Sequence, residues 1–514
     1  MGILINITVF VRYYLDLLID KLFGLCYDPT REYIPPIKNP ILLESATSLA
    51  KKIKKHELTS QEIVKAFIDR IHEVNPIINA LVDERFNEAL KEAEKIDEDI
   101  ASGTIMEVDF QEKPFLGVPF TSKESTACEG LSWTFGIKKR KGKKANFDAA
   151  CIKSMKQAGA ILLGVSNVPQ LNLWQETSNP VYGLTKNPYN TTRNVGGSSG
   201  GESSLLAAGA TPLGVGTDIG GSCRIPAFMC GVFGHKITNN LVSTEGLTFR
   251  TGEETDSMVS VGPMTRFARD LAPFIKVLVG GANAGKLNLD LPVSIKKLKV
   301  YYVTDPGDSL MSPFRNEMKK VLMKAVAHLE ETCDLKPQEL VFQDLQYQYK
   351  IWKYWMSVEG NNFKNEINDK KGEVSPMKEI LKHFTVGGDF TTATVLNLMN
   401  GYLKTANMVD MTKTLKEAFL TKLDDNSILL YPSAPFPASY HHTALIRPYN
   451  FACFAIWNAM KFPATQVPMG LNKDSLPLGI QVVAAPYQDR LCVAVAKELE
   501  TAFGGYVPPT VSGQ

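Results

Sequence analysis

The chain has 514 residues, of which 56 are Lys or Arg and 54 are Asp or Glu, so its formal net charge is only +2. This balance excludes the strongly basic surface that is typical of nucleic-acid-binding proteins, and we expect no nucleic-acid partner. Hydrophobic residues make up 44% of the sequence and charged residues 21%, which is the composition of a folded protein with a sizeable core.

Eight cysteines are scattered along the chain without a C-x-x-C pair or a His-rich neighbourhood. Zinc sites and disulfide frameworks have characteristic Cys and His spacings, so we expect neither of them, and no metal or other cofactor. Reduced, buried thiols are typical of a domain that faces the cytosol.

Residues 1–26 are rich in Ile, Leu, Val, Phe and Tyr, but Arg12, Asp16, Asp20 and Lys21 interrupt this apolar run. The uninterrupted part is too short for a standard membrane-spanning helix. In a helix, Arg12, Asp16 and Asp20 would form one polar stripe, in which Arg12 can pair with Asp16. We therefore predict an apolar N-terminal helix that associates with a membrane surface. The alternative is a helix that packs on the protein's own surface.

Pro35, Pro36 and Pro40 predict that residues 27–44 form a linker after this helix. The capping box Thr59-Ser-Gln-Glu62 then predicts the start of a helix with one apolar face, and Asn75-Pro76 predicts its end. Residues 45–510 contain no linker or internal repeat that divides them, so we predict one large domain there.

Short apolar runs bounded by turn residues predict strands that alternate with amphipathic helices. The predicted strands are residues 116–122, which lead into Lys123, and residues 160–165, 298–303, 427–431 and 479–483. Predicted helices include residues 316–331 and 489–502. This alternation is typical of an α/β protein whose sheet is covered by helices on both faces.

The most unusual stretch, residues 194–222, contains two glycine-framed serines, Ser198 and Ser222, separated by a short predicted helix. Glycines allow backbone conformations that other residues rarely adopt, and they let a substrate approach main-chain N–H groups closely. We therefore expect both serines to face one pocket.

Other glycine-rich motifs fit this stretch poorly. Gly196-Gly-Ser-Ser-Gly200 has the G-x-S-x-G pattern of α/β-hydrolases, but that turn follows a strand, whereas residues 188–194 form a polar loop. Gly214-Val-Gly-Thr-Asp-Ile-Gly220 resembles a dinucleotide-binding fingerprint, but Pro226 interrupts the helix that should follow. Neither loop ends in the Gly-Lys-Ser/Thr of a phosphate-binding loop.

The sequence resembles the amidase signature family through three long blocks. They are Gly-Val-Pro-Phe-Thr-Ser-Lys-Glu (117–124), Gly-Gly-Ser-Ser-Gly-Gly-Glu (196–202) and Gly-Thr-Asp-Ile-Gly-Gly-Ser-Cys-Arg-Ile-Pro-Ala (216–227). Weaker similarity extends over residues 45–505 and is greatest to the membrane-associated fatty-acid amide hydrolases. The resemblance implies a large, twisted, mixed β-sheet covered by helices on both faces, with residues 45–510 as the catalytic domain.

The resemblance also implies a Ser-Ser-Lys triad formed by Lys123, Ser198 and Ser222, in which Ser198 follows a cis peptide bond. In the family, an oxyanion hole is formed by the backbone N–H groups of four consecutive residues, which are here Ile219, Gly220, Gly221 and Ser222.

These residue types suit amide hydrolysis through a covalent intermediate. A serine hydroxyl needs an adjacent base, and lysine is a base only when neutral, a state that burial away from carboxylates favours. Glu124 is therefore expected to point away from Lys123. Lys123 would take a proton from Ser198, and Ser198 would take one from Ser222 as it attacks the carbonyl. Main-chain N–H groups would stabilise the oxyanion, and water would then hydrolyse the acyl-Ser222 ester.

We expect Asp218 and Arg224 to hold the nucleophile loop through hydrogen bonds, and Ser199 to be a hydrogen-bonding neighbour. Apolar residues at helical spacing either line a binding channel or, more commonly, belong to the core. The residues considered for an acyl channel are Trp174, Trp352, Trp355 and the segment 377–399.

The resemblance implies a serine amidohydrolase that cleaves fatty-acid amides, and also esters, to a free fatty acid and an amine. The expected partners are a lipid amide substrate, a membrane surface contacted by the N-terminal helix, and a second copy of the chain in a homodimer. The expected location is a membrane, with the catalytic domain facing the cytoplasm. Three alternatives are left open: an amidase for small soluble amides, a catalytically silent scaffold, and a transamidosome subunit.

Overall fold

The computed structural model describes residues 2–360, 362–385, 388–400 and 407–509. In these ranges the helices are α1 (Gly2–Tyr27), α2 (Ala46–Lys54), α3 (Ser60–Ile78), α4 (Phe86–Ala101), α5 (Asp109–Glu112), α6 (Ala150–Gln157), α7 (Gly200–Ala207), α8 (Arg224–Met229), α9 (Leu271–Val279), α10 (Gly281–Leu287), α11 (Asn316–Thr332), α12 (Gln348–Ser357), α13 (Phe363–Glu366), α14 (Pro376–Thr385), α15 (Thr392–Asn400), α16 (Val409–Leu420), α17 (Ala452–Ala459) and α18 (Asp489–Phe503). The strands are β1 (Leu81–Glu84), β2 (Pro119–Lys123), β3 (Ile161–Ser166), β4 (Ser178–Asn179), β5 (Gly183–Leu184), β6 (Leu213–Asp218), β7 (Phe233–Lys236), β8 (Ser260–Thr265), β9 (Lys299–Tyr302), β10 (Gln338–Glu339), β11 (Ser427–Pro432), β12 (Ala464–Leu471) and β13 (Pro477–Val483).

In the described ranges, eleven strands form one sheet in the order β1-β3-β2-β6-β8-β7-β12-β13-β11-β9-β10. The pairings of β2 with β3 and β6 are parallel, as are those of β9 with β10 and β11, and the other pairings are antiparallel. Helices lie on both sides of this mixed sheet, so the predicted α/β fold class is confirmed. Strands covered on both faces are expected to be apolar throughout, as in β3 and β11, where every residue is buried.

The sheet brings the glycine-serine loops to the end of β2. Because β2 and β6 are parallel, with Ser122 opposite Val215, their carboxyl ends lie at the same edge. Lys123 is the last residue of β2, α7 begins two residues after Ser198, and Ser222 lies in the turn between β6 and α8. The connections that lead into α7 and α8 therefore bring two segments, both far from Lys123 in sequence, beside that residue.

The helix predicted from the capping box is α3. Thr59 accepts the Glu62 N–H, and the Glu62 carboxylate accepts the Thr59 N–H, so both halves of the box are formed. The predicted end at Asn75-Pro76 was wrong, because α3 continues to Ile78. In the last turn a proline removes only one helical donor, and the helix instead ends at Asn79, whose φ of 49° is left-handed.

Helix α1 is docked on the protein through its polar stripe. Arg447 pairs with Asp16 at 2.9 Å and with Asp20 at 2.7 Å, and Arg315 also contacts Asp20. Arg12 donates to two backbone carbonyls of the loop before α11, at 2.8 and 2.7 Å. The predicted pairing of Arg12 with Asp16 was therefore wrong, because the buried Arg447 guanidinium takes the Asp16 carboxylate.

The opposite face of α1 is apolar and exposed. Its exposed large side chains are Val9, Phe10, Val11, Tyr14, Leu15, Leu17, Leu18, Leu22 and Leu25. Across the described ranges, no helix combines the length and the apolar character needed to cross a membrane. Helix α1 thus has one face held by the protein and one face that is apolar and exposed.

Candidate active site

Lys123 lies at the centre of the candidate site and is fully buried. Its Nζ donates one hydrogen bond to Ser198 Oγ and another to Thr217 Oγ1, each 2.8 Å long. Burial disfavours the charged ammonium and lowers the pKa of Lys123 to about 8, although nearby acidic groups act in the opposite direction. A neutral amine, which a base requires, is therefore accessible close to neutral pH.

The neighbouring Glu124 points away from Lys123, which confirms the prediction. Its carboxylate accepts the backbone N–H groups of Thr134 and Phe135 and the hydroxyl of Tyr182. Burial raises the pKa of Glu124 to about 7 despite these hydrogen bonds. Glu124 therefore anchors the segment at residues 134–135 and makes no ion pair with the buried amine.

A second buried carboxylate, Glu202 of α7, was not considered in the sequence analysis. Thr121 Oγ1 donates to Glu202 Oε2 at 2.7 Å, and Oε1 is buried without a hydrogen-bond partner in the described part of the chain. Burial raises the pKa of Glu202 to about 7. The charge of Glu202 also favours the protonated form of Lys123, so this carboxylate influences the charge of the candidate base.

Ser198 is almost completely buried and follows a cis peptide bond with Gly197, as the resemblance implies. Gly197 packs closely on the segment that contains Trp174: an added Cβ would lie 2.4 Å from the Trp174 carbonyl oxygen. Only glycine fits at this position, and it lets the loop carry Ser198 to within hydrogen-bond distance of Lys123.

Ser222 lies next to Ser198, and the two loops are joined directly. The Ser199 N–H donates to the Ser222 carbonyl oxygen at 3.0 Å, so Ser199 is the hydrogen-bonding neighbour that we expected. Ser198 and Ser222 line the same small cavity of about 60 Å³, which confirms that both face one pocket.

Asp218 and Arg224 hold the turn around Ser222, as predicted. Asp218 accepts the N–H groups of Gly221 at 2.7 Å and Cys223 at 3.2 Å, and it forms an ion pair with Arg224 at 3.1 Å. Burial opposes ionisation of Asp218, but the charge and hydrogen bonds of Arg224 outweigh it and hold the pKa at about 2. The turn is therefore fixed by a permanently charged, fully buried pair.

The backbone N–H groups of the predicted oxyanion hole differ in their contacts. The Gly221 N–H is directed to Asp218, whereas those of Ile219, Gly220 and Ser222 have no acceptor within the described ranges. The unpaired N–H groups are consistent with an anion-binding turn.

Trp352 of α12 contacts this turn, a role that the sequence analysis missed. Its indole Nε1 donates to the Ile219 carbonyl oxygen at 2.9 Å, and an added Cβ at Gly220 would lie 2.9 Å from the ring. The sequence offers no local signal for this contact, because Ile219 and Trp352 are 133 residues apart.

A larger cavity of about 260 Å³ also opens on Ser222. Its apolar lining is formed by Trp174, Ile219, Ile225, Tyr349, Trp352, Met356, Phe363, Leu398 and Phe451. Trp174 and Trp352 therefore line a cavity at Ser222, whereas Trp355 donates to Thr412 Oγ1 instead. From the segment 377–399, Asn397 and Leu398 contribute to the lining, and residues 386 and 387 lie outside the described residues.

Comparison with known proteins shows the family of the chain. Residues 62–493 match the amidase family. The chain is 40% identical over 488 residues to fatty-acid amide hydrolase 2-A of Danio rerio, covering 93% of this chain and 92% of that protein. It is 39% identical over 488 residues to fatty-acid amide hydrolase 2 of Homo sapiens, covering 92% of each.

Solved structures share the fold. A fatty acid amide hydrolase matches with a TM-score of 0.72 at 22% identity, covering 91% of this chain and 86% of that chain. The structure of 6-aminohexanoate cyclic dimer hydrolase complexed with substrate matches with a TM-score of 0.72 at 23% identity, covering 91% and 99%. The chain therefore belongs to the amidase signature family and is a hydrolase of amide carbon–nitrogen bonds.

Proposed function

We propose that this protein hydrolyses fatty-acid amides, and also esters, through an acyl-Ser222 intermediate, using Lys123, Ser198 and Ser222 as a triad. The observation that carries the proposal is the 2.8 Å hydrogen bond from the buried Lys123 amine to Ser198, beside a cavity that Ser222 also lines. A buried amine with a hydroxyl partner is suited to moving a proton, because its neutral form is accessible.

In the proposed reaction, neutral Lys123 takes the proton of Ser198, and Ser198 takes the proton of Ser222 while Ser222 Oγ attacks the carbonyl carbon. With a pKa of about 8 for Lys123, roughly one tenth of the enzyme is in the neutral form at pH 7. The tetrahedral oxyanion accepts hydrogen bonds from the backbone N–H groups of Ile219, Gly220 and Ser222. The fourth N–H of the predicted hole, that of Gly221, stays on Asp218 and holds the turn.

Collapse of the tetrahedral intermediate breaks the carbon–nitrogen bond. The proton held by Lys123 returns through Ser198 to the leaving nitrogen, so the product amine departs neutral. Water then attacks the acyl-Ser222 ester, giving up its proton along the same path. The fatty acid is released and the Ser222 hydroxyl is restored, so every proton is accounted for by the three side chains.

The larger cavity supports an acyl substrate. It is lined mainly by aromatic and aliphatic side chains, and Ser222 is part of its wall. Burial of a hydrocarbon chain contributes about 0.8 kcal/mol per CH₂ group, which favours long acyl chains over small soluble amides.

The exposed face of α1 supports a membrane-associated enzyme. We assign residues 1–26 to the membrane-associating helix, 27–44 to the linker and 45–510 to the catalytic domain; residues 1 and 510 lie outside the described residues. The polar stripe of α1 is held by Arg447, so its apolar side chains point outwards, as in a helix that lies in a membrane interface. We also propose that the catalytic domain faces the cytoplasm and that two chains form a homodimer.

Mass-spectrometric capture of the acyl enzyme tests nucleophile and substrate together. The purified protein is mixed with a panel of amides of different acyl length, and the peptide that contains Ser222 is examined for the acyl mass. We expect long-chain acyl groups on Ser222, and no adduct in Ser222→Ala. Lys123→Ala should slow acylation by ~10²–10⁴-fold, the range of general base catalysis.

Ser199→Ala is the matched control, because Ser199 contacts Ser222 through its backbone N–H, which the substitution keeps. Acylation of a different residue, or equal rates for Lys123→Ala and the parent, would contradict the triad. Faster acylation by small soluble amides than by long-chain amides would contradict the lipid substrate.

A further inference from the structure

The small cavity at Ser222 is lined in part by carboxylate side chains, which the larger cavity proposed for the acyl chain lacks. It has a volume of about 60 Å³, and besides the catalytic serines its wall includes Asn172, Arg250 and Glu366. At about 30 Å³ per water molecule, this space holds roughly two waters, or a group of a few heavy atoms. Asn172 also lines the larger cavity, so it lies where the two cavities meet.

Arg250 brings a positive charge to this wall, but that charge is already paired. Arg250 Nη2 contacts Glu359 Oε1 at 3.1 Å, and both side chains are nearly inaccessible to solvent. Glu359 also accepts hydrogen bonds from the Ser257 hydroxyl and the Met258 N–H. The pair is therefore complete, and Arg250 has little free charge for an anionic ligand.

Glu366, the last residue of α13, has the opposite character. It is buried, with 8% of its surface exposed, yet its carboxylate accepts no hydrogen bond from any described residue. Burial raises the pKa of Glu366 to about 7, and the charges of Arg250 and Lys370 limit the rise. Above neutral pH, an ionised and unpaired carboxylate therefore faces the cavity.

A second acceptor in the same cavity wall also has no donor. Asn172 Nδ2 donates to Ser125 Oγ at 2.9 Å and to Thr248 Oγ1 at 2.7 Å, which orients the amide. Asn172 Oδ1 is buried and has no hydrogen-bond partner in the described part of the chain. Buried acceptors are normally paired. The unpaired Asn172 oxygen, together with a Glu366 carboxylate that accepts no hydrogen bond from the described residues, indicates a ligand that brings donors to the cavity that both side chains line.

We propose that this cavity binds the amine part of the substrate, and that Glu366 and Asn172 favour amines that carry a second, cationic amino group over amines that carry a carboxylate. This inference rests on the proposed function, because the acyl part must occupy the larger cavity. An ammonium group has three donors and a full positive charge, so it matches both acceptors. A carboxylate would meet Glu366 with like charge and would bring no donor.

The test compares three amides that share the same acyl chain and differ only in the leaving amine. The three amines, 1,2-diaminoethane, ethanolamine and glycine, are of similar size. Values of kcat/KM are measured with the full chain at pH 8, where Glu366 is ionised. We expect the diaminoethane amide to be cleaved about tenfold faster than the ethanolamide, and the glycine amide at least tenfold slower, as for one charge contact in a partly buried site.

Glu366→Gln should remove the preference for the diamine, so that the ratio of kcat/KM for the diaminoethane amide to kcat/KM for the ethanolamide falls from about ten to about one. Glu373→Gln, which removes an exposed carboxylate a few residues further on, should keep the preference. Equal cleavage of the three substrates by the wild-type enzyme would overturn the inference without any variant. A preference that survives in a folded Glu366→Gln enzyme would also overturn it.

Failure of the proposed function gives a different result. In that case none of the three substrates acylates Ser222, whatever amine it carries. Acylation of Ser222 by the ethanolamide without selectivity among amines refutes only the role of Glu366 and Asn172. The two outcomes are read from the same mass spectra and rate measurements.

Discussion

Two fully buried lysines, Lys123 and Lys236, illustrate what makes a buried amine a candidate base. Burial lowers the pKa of both, to about 8 for Lys123 and about 7 for Lys236. Lys236 Nζ donates to the Asn239 side-chain oxygen and to backbone carbonyls, none of which can supply a proton. Lys123 donates to hydroxyl groups, which can. The chemistry of the partner, more than burial, therefore distinguishes the two residues.

The pKa of Lys123 predicts the pH dependence of the enzyme. Because the protonated amine cannot accept a proton, the proposed proton relay requires the neutral form, whose fraction falls about tenfold per pH unit below a pKa of about 8. We expect kcat/KM for a fatty-acid amide to rise with pH and to level off above about pH 8. A profile between pH 6 and 10 measures this, and a constant rate from pH 6 to 9 would be inconsistent with Lys123 as the base.

Glu202→Gln is predicted to move the acidic limb of that profile to lower pH. The Glu202 carboxylate favours the charged form of Lys123, so its replacement by a neutral amide of equal size lowers the lysine pKa. We expect a shift of roughly half to one pH unit. Glu124→Gln is the control, since Glu124 is also buried but is directed to residues 134–135. A limb that does not move in Glu202→Gln would show that Glu202 is neutral in the active enzyme.

At the scale of elements, helix α12 contacts the nucleophile turn, residues 219–222 with the proposed nucleophile Ser222, through Trp352. Trp352→Phe keeps most of the ring but removes the N–H that holds the Ile219 carbonyl. Small displacements of an oxyanion-binding turn are costly, so we expect kcat to fall about tenfold, with a smaller change in KM. Steady-state kinetics on one long-chain amide measure both.

Trp355→Phe provides the matched control for this helix. It also removes an indole N–H from α12, but that N–H donates to Thr412 and not to the nucleophile turn. We expect little change in kcat. If both variants lose activity equally, the effect comes from the packing of α12, and Trp352 has no specific role in positioning.

The observed strands and helices agree well with the prediction where the pattern lies within the segment itself. The predicted runs became β2, β3, β9, β11 and β13. In β3 and β11 every residue is buried, as expected for strands inside a covered sheet. Strand β6 was missed, because its sequence, Leu-Gly-Val-Gly-Thr-Asp, contains two glycines and is typical of a loop. Pairing with β2 on one side and β8 on the other makes this segment extended.

At the scale of the whole molecule, removal of residues 1–27 separates membrane association from catalysis. No described residue of α1 lines either cavity at Ser222. We therefore expect a fluorophosphonate to label Ser222 in the truncated protein as well. Sedimentation with lipid vesicles should be lost, because the exposed apolar face of α1 is gone. Substitution of Leu18 and Leu22 by serine should weaken vesicle binding without disturbing the ion pairs of the polar stripe. A truncated protein that still binds vesicles would place the membrane contact elsewhere.

The residues proposed for catalysis are evident from the sequence, because Lys123 and the two glycine-framed serines lie in long, specific blocks. Their hydrogen-bond partners are less predictable. Thr217 contacts Lys123 across 94 residues, and nothing in its immediate neighbourhood indicates that contact. The docking of α1 is a similar case, since a polar stripe fits either a membrane interface or a protein surface until Arg447 is located beside it.

The sequence by itself determined the fold class, the positions of the main strands and the candidate triad, since these follow from local periodicity and from specific motifs. Only the tertiary structure decided which buried carboxylates face Lys123, which backbone N–H groups in the nucleophile turn are unpaired, and how the space around Ser222 is divided. The physical reason is that burial, pKa and hydrogen-bond pairing depend on groups that are distant in sequence and meet only when the sheet is assembled.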